Sequence, residues 1–560
     1  MIFVGMRNLK YCWGIMLLLG FYACSKEKTT PATPPPVTPS SFAFNGLKVN
    51  GVSNGFSYVN VNTQPVIKIA FSAAVNISSV ASSVTFSNKA GTAVTYAATY
   101  ENHDSTLVIT PSALQAVTQY TLAVSTNLKS SANGSLQSVV NVQLTTAVDT
   151  TNKFPLISDN ALLDLVQQQT FKYFWDFGHP TSGMARERNT SGDIVTTGGS
   201  GFGIMAIVAM VNRQFVTRAD GLARMQKIVG FLKTAQTFHG AFPHWMNGVT
   251  GVVVPFSTQD DGADLVETSY LMEGLLTARQ YFNAASTDET NLRTDINTLW
   301  NAVEWDWFRQ NGQNTLYWHW SPDYGWSTNM QVTGWDEALI TYVMAASSTT
   351  HPITKAVYDN GWALNGAIRN GNTYFGVQLP LGPPEGGPLF FAHYSFLGIN
   401  PNGLSDAYAS YDVQNKAHAM INYNYCVANP NNNNGYSSNC WGLTASDIQN
   451  GYTASSPTND VGVIAPTAAI SSLPYTPTQS MAALRFFYYK LGDKMWGQYG
   501  FYDSFNLTNP WFANSTLAID QGPIIGMIEN YRSGLLWSLF MSCPEVKTGM
   551  KNLGFQSPNL

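Results

Sequence analysis

The stretch Asp260-Asp261-Gly262-Ala263-Asp264-Leu265-Val266-Glu267-Thr268 packs four carboxylates into eight residues at the head of an apolar, helix-forming run. With a helix starting near Asp261, the side chains of Asp260, Asp264 and Glu267 fall at i, i+4 and i+7, on one side of the helix entrance. Carboxyl groups held in this way suit acid–base cleavage of a glycosidic bond, in which one group gives a proton to the leaving oxygen and another takes one from water. Acids in a first turn also favour any helix by capping free N–H groups and opposing its dipole, and Asp261 is as well explained by capping. A second acidic pair stands in Gly334-Trp335-Asp336-Glu337-Ala338-Leu339-Ile340, again before an apolar helix. Aspartate is the better cap by residue type, which leaves Glu337 as the candidate proton donor. Asp520, in Ala518-Ile519-Asp520-Gln521-Gly522-Pro523, is a further acid at a helix entrance, and capping accounts for it on its own.

Flat apolar side chains surround these acids. Fourteen of the fifteen Trp lie after residue 170. Trp175, Trp300, Trp305, Trp307 and Trp537 read equally well as core, whereas Trp245, Trp318, Trp320, Trp326, Trp335, Trp441 and Trp511 fall in loops or at helix ends, where sugar rings stack. Tyr317-Trp318-His319-Trp320-Ser321 looks like a loop lining a groove, and His244-Trp245, Phe391-Ala392-His393-Tyr394 and Trp441 to Asp447 read as further loop contacts. Arg186 and Arg188 either bond sugar hydroxyls or pair with nearby acids; ion pairing is slightly preferred. The Gly-rich turn Thr196 to Gly203 lacks the Gly-Lys-Ser/Thr ending of a phosphate loop and a preceding strand, which argues against nucleotide binding.

The elements that must position these groups fall into several units, since 560 residues exceed one ordinary core. Met1 to Lys10 is basic, and the apolar run that follows ends at Ala23-Cys24-Ser25. This reads as a lipoprotein signal over residues 1–24, with Cys24 as the lipidated residue. Residues 25–40 form a Thr/Pro-rich spacer. Between 41 and 148 short alternating runs such as Val66 to Phe71 and Thr106 to Thr110 predict an all-β sandwich of immunoglobulin type. From about 155 to 545 the pattern turns to ten to twelve helices joined by long aromatic loops, with starts expected near Asp159, Gly201, Arg218, Ala263, Asn291, Trp335, Thr354, Asp406, Thr478 and Gln521. That arrangement suits an all-α (α/α)6 toroid with its site at the loop-bearing mouth.

Composition narrows the partners. Charged residues are 11% of the chain, aromatics 13%, and the net charge of −5 carries no long basic run, so nucleic acid is not an expected partner. With no CxxC, no HExxH and eight scattered His, neither metal nor cofactor is expected. Cys426 and Cys440 flank an Asn-rich loop, either as a disulfide or as buried free thiols. A lipid tether would place the chain in the cell envelope, on the outer membrane, facing the periplasm or the surface, with a monomer as the default.

Five motifs in order, Thr197 to Gly203, Ala241-Phe242-Pro243-His244-Trp245, Asp264 to Thr268, Gly334 to Glu337 and Asp520 to Pro523, together resemble the bacterial glucoamylase-like domain, most closely the endo-β-1,2-glucanases of glycoside hydrolase family 144. The preceding region resembles a bacterial Ig-like domain. The resemblance implies an (α/α)6 toroid and inverting, endo-acting hydrolysis of linear β-1,2-glucan to sophoro-oligosaccharides. It places acids at Asp260, Asp264, Glu267, Glu337 and Asp520, with Glu337 as general acid and the base left among Asp264, Glu267 and Asp520. Two other readings stay open: an exo enzyme releasing sophorose or glucose, with Leu379 to Pro388 as an end wall, and a non-catalytic glycan-binding lipoprotein.

Overall fold

The computed structural model describes residues 41–560. The expected signal segment, Cys24 and the Thr/Pro-rich spacer lie outside them. The first domain is two four-stranded sheets. One runs Phe44–Val49, Ile67–Phe71, Thr106–Pro111, Tyr96–Glu101; the other runs Ser57–Val61, Val140–Thr146, Gln119–Val124, Val84–Asn88. Only Ser57–Val61 against Val140–Thr146 is parallel. The period-2 pattern sets the packing: Ile67, Ile69 and Phe71 turn inward to meet Leu107, Ile109 and Leu122 in a core shared by both sheets. Ala116, Val117 and Val148 pack instead against the core of the helical domain and join the two units.

After residue 150 the described residues form thirteen α-helices. Those expected at Asp159 and Arg218 start there, as Asp159–Trp175 and Arg218–Leu232, with Ser158 and Thr217 as caps. Others begin elsewhere for identifiable reasons. The helix expected at Asn291 is Thr287–Asn301, because Ser286 caps it by accepting from the Glu289 N–H. The expected Gly-rich turn is mostly helix, Thr197–Asn212, apolar on every side and buried from Thr197 to Val211. Its glycines are needed for close approach rather than for a turn. A Cβ on Gly201 would stand 2.2 Å from the Tyr270 carbonyl oxygen, and one on Gly274 2.3 Å from that of Gly201, so the Thr197–Asn212 and Leu265–Tyr281 helices meet backbone to backbone.

Ala518–Arg532 packs on the other side of Thr197–Asn212, with Gly522 against Phe202, and Leu339–Ser347 packs on Leu265–Tyr281. The acidic motifs stand at the N-terminal ends of three of these helices. Cys426 and Cys440 are buried free thiols, so of the two alternatives the disulfide is not formed. The Asn-rich loop between them is fastened by Asp460, whose carboxylate accepts from Tyr425, Asn433 and Tyr436.

Candidate active site

The helix after the acidic cluster starts at Leu265, beyond both Asp261 and Ala263, and its cap is Asp264 rather than Asp261. Asp264 Oδ1 accepts from the Glu267 N–H at 2.9 Å. Asp260 lies before the helix, in a turn bridged to Ser257, so the three acids do not form the i, i+4, i+7 row. They converge instead through a two-residue strand pairing, Ala263–Asp264 with His319–Trp320, which sets His319 opposite Asp264. Asp264 Oδ2 accepts from His244 Nδ1 at 2.9 Å and lies 3.3 Å from His319 Nε2, which is equally 3.3 Å from Asp260 Oδ2. Burial works against the Asp264 charge, but the His319 charge and the bonds from both imidazoles hold its pKa well below the usual range. Burial also opposes a charged His244, yet the charge of Glu267 and the bond to Asp264 lift it to about 9. Asp260, buried beside Asp264, rises to about 6. Donor atoms of His244, Asp260, Asp264 and His319 lie within 4.8 Å of one another, a set able to hold a divalent cation; His244 and Asp264 bond each other, while Asp260 Oδ1 and His319 Nδ1 are buried without a partner.

In front of this cluster opens a cavity of about 440 Å³. Glu267, Glu337, Tyr270 and Tyr394 form part of its wall, with Thr196 and Ile519 from the ends of two neighbouring helices. Glu267 Oε2 accepts from the Gly198 N–H at 2.7 Å, at the positive end of Thr197–Asn212, and a Cβ on Gly198 would stand 2.6 Å from that oxygen. Burial nevertheless raises Glu267 to about 7. Asp336 behaves as a local cap, Oδ1 accepting from the Ala338 N–H at 2.8 Å, although the helix itself begins only at Leu339. Glu337 is thereby turned toward the cavity, its backbone carbonyl held by the Ser395 and Tyr270 hydroxyls. Burial first, and the Asp336 charge second, push the Glu337 carboxyl well above its ordinary pKa.

His244, Trp245 and Trp318 line the cavity as expected. A three-stranded ribbon positions the first two: Trp245–Asn247 pairs with Ile194–Thr196 and Val253–Val254, and Phe256 packs on both rings. Arg188 also lines it, ion-paired with Glu187 and Asp447. Several expected contacts are structural instead. Trp335 is buried with Nε1 donating to His418, and Trp441 is buried with Nε1 donating to the Gln479 carbonyl. His393 is sealed in the core beside Ser472, where burial lowers its pKa to about 3. Arg186 is spent on the Gly192 and Phe177 carbonyls, and Trp320 packs with Trp307 and His239 away from the cavity. Leu379 to Pro388 is not among the residues lining the cavity, whereas Phe390, just after it, is.

Asp520 is buried behind the wall, where desolvation first and the nearby Asp503 second push its carboxyl well above its ordinary pKa. Asp503 is not among the acids that the sequence singles out. Its signal there is faint, a lone acid amid aromatics in Phe501-Tyr502-Asp503-Ser504-Phe505.

The profile of the family described as "Putative glucoamylase" matches residues 329–544, and that of a bacterial Ig-like domain matches residues 46–146. The solved structure of an endo-β-1,2-glucanase from Chitinophaga pinensis, in complex with sophorotriose and glucose, is 50% identical with a TM-score of 0.71, over 72% of this chain and 100% of that one. A β-1,2-glucanase structure from Parabacteroides distasonis is 36% identical with a TM-score of 0.70, over 94% of this chain and 74% of that one. An exo β-1,2-glucooligosaccharide sophorohydrolase (non-reducing end) from Parabacteroides distasonis is 46% identical over 420 residues. The chain spans 58% of the length of that curated relative. On these matches, and with the acidic motifs gathered at one cavity, the chain belongs to the bacterial glucoamylase-like family, with endo-β-1,2-glucanases of glycoside hydrolase family 144 among its neighbours.

Proposed function

We propose that this protein is an inverting glycoside hydrolase that cleaves linear β-1,2-glucan internally, its helices arranged as an (α/α)6 toroid and the chain tethered to the cell envelope through Cys24. The observation that carries the hydrolase reading is Glu337, a carboxyl kept protonated by burial and by Asp336 and facing a cavity walled by Trp245 and Trp318. Glu337 gives its proton to the glycosidic oxygen as the bond to the anomeric carbon breaks, and water attacks that carbon from the opposite face. Asp264 is unsuited to take the water's proton, since both its oxygens are engaged, and it serves to position His244 and the helix entrance. Glu267 gives one oxygen to Gly198. Asp520 retains an unpartnered buried oxygen and is the better base, reached by relay through a substrate hydroxyl.

Internal cleavage is supported by the cavity's continuation. Arg188 and Tyr452 line both it and a second groove that runs to Trp511 and Asn514, giving a polymer room to extend. The sophorohydrolase relative favours the second reading, exo release of sophorose. Incubation with linear β-1,2-glucan, β-1,3-glucan and starch, followed by chromatography, separates them. A ladder of short oligosaccharides from β-1,2-glucan alone fits internal cleavage, and sophorose as the sole early product fits exo action. No product from any glucan sinks the hydrolase reading in favour of a glycan-binding lipoprotein. Glu337→Gln should lower kcat/KM by about a thousandfold or more, within the range ascribed to general acid catalysis and the charge development it relieves.

A further inference from the structure

Asp503 and Asp520 are each 3% exposed, and their carboxyl groups lie close enough for each to act on the other. Asp503 Oδ2 is accounted for, accepting from the Asp447 N–H at 2.6 Å. Asp503 Oδ1 and Asp520 Oδ2 are different: both are buried and neither receives a hydrogen bond from any donor. If both groups were ionised, two orphan oxygens and two like charges would be sealed together, which desolvation and repulsion both oppose. One proton on the pair relieves both, because a carboxylic acid can donate where a carboxylate can only accept.

The surroundings fit one charge rather than two or none. Asp447 is committed to Arg188 and to the Ser515 hydroxyl, and Arg188 is shared with Glu187, so the nearest cation is already neutralised. The other titratable neighbours, Tyr394 and Tyr452, are pushed up by desolvation of their hydroxyls and stay neutral, Tyr452 even though its side chain is half exposed. We propose that Asp503 and Asp520 form a carboxyl–carboxylate dyad holding a single proton, with Asp503 the positioning residue that sets when the dyad accepts the proton of the attacking water. In the step, a water O–H bond breaks as its oxygen bonds the anomeric carbon, Glu337 protonates the departing oxygen, and the singly ionised dyad becomes doubly protonated. The pair titrates as a unit, so its acid limb belongs to neither residue alone.

The inference rests on the hydrolase reading for its catalytic role, but the shared proton is measurable without turnover. Infrared difference spectra at pH 7 of wild type against D503N, and against D520N, should each lose one and the same protonated-carboxyl C=O band. Spectra in which neither variant loses such a band overturn the dyad, and D520N keeps the test open if D503N does not fold. In D503N the amide donates permanently to Asp520 and removes the competing charge, so the acid limb of the pH–kcat/KM profile should move down by about one unit or more. An acid limb coincident with wild type means that Asp503 is structural only, and the positioning role falls. If wild type hydrolyses no glucan while the band behaves as expected, the hydrolase reading fails and the shared proton stands.

Discussion

Among single residues, environment rather than position along the chain divides the carboxyls of the site. Asp264, capped onto a backbone N–H and clasped by two imidazoles, is held ionised; Glu337, buried beside the like charge of Asp336, is held neutral. This division gives a pH dependence of stability. His244 has an ordinary pKa of 6.5 and a folded value of about 9, so its contribution is present in full below pH 6.5 and is lost as pH rises through 9. Thermal melting of wild type should therefore fall over that window, and H244Q, which cannot charge, should melt lower but with a flatter slope. The His244, Asp260, Asp264 and His319 atoms are close enough to hold a cation, yet the proposed chemistry runs without one. Prolonged treatment with EDTA should leave hydrolysis within about twofold, and loss restored by zinc would reassign the cluster as a metal centre.

Among the elements, the site depends on how closely two helices approach. The Thr197–Asn212 helix supplies Gly198 to Glu267 and touches Leu265–Tyr281 through Gly201 and Gly274. Gly201→Ala drives a methyl into a backbone carbonyl that cannot rotate away, and should destabilise by roughly 1–3 kcal/mol, read as a drop of several degrees in Tm. Gly230, inside Arg218–Leu232, has nothing within 4 Å of the place a methyl would take, so Gly230→Ala should instead stabilise by about 0.5–1 kcal/mol. The contrast separates glycines kept for packing from one that is dispensable. Periodicity does not make the distinction, because a run such as Gly198-Gly199-Ser200-Gly201 reads as a turn until the facing helix is known.

Across the whole molecule, the proposed glucan binding extends beyond the cavity at Glu337 into a second groove. If the groove through Arg188 and Tyr452 to Trp511 carries glucan, Trp511→Ala should raise KM for long chains by about three- to tenfold, the worth of one aromatic stacking contact, while a short oligosaccharide is unaffected. An equal effect on both lengths argues against an extended groove. The division into a β-sandwich and a helical domain is legible in the residues themselves, because period 2 gives way to period 3.6 after residue 150. So are the acidic motifs that matter, because acids before apolar helices are few in so uncharged a chain. Which aromatics face a ligand is not legible there: Trp335, Trp441 and His393 sit in loop-like or helix-edge sequence yet are buried, since burial depends on what packs from elsewhere. Nor does the sequence join Asp503 to Asp520 or His319 to Asp264, because those contacts come from strand pairing and helix docking between distant segments. Local composition limits what each segment can form; packing between segments decides which charges meet, and a carboxyl's proton depends on that meeting.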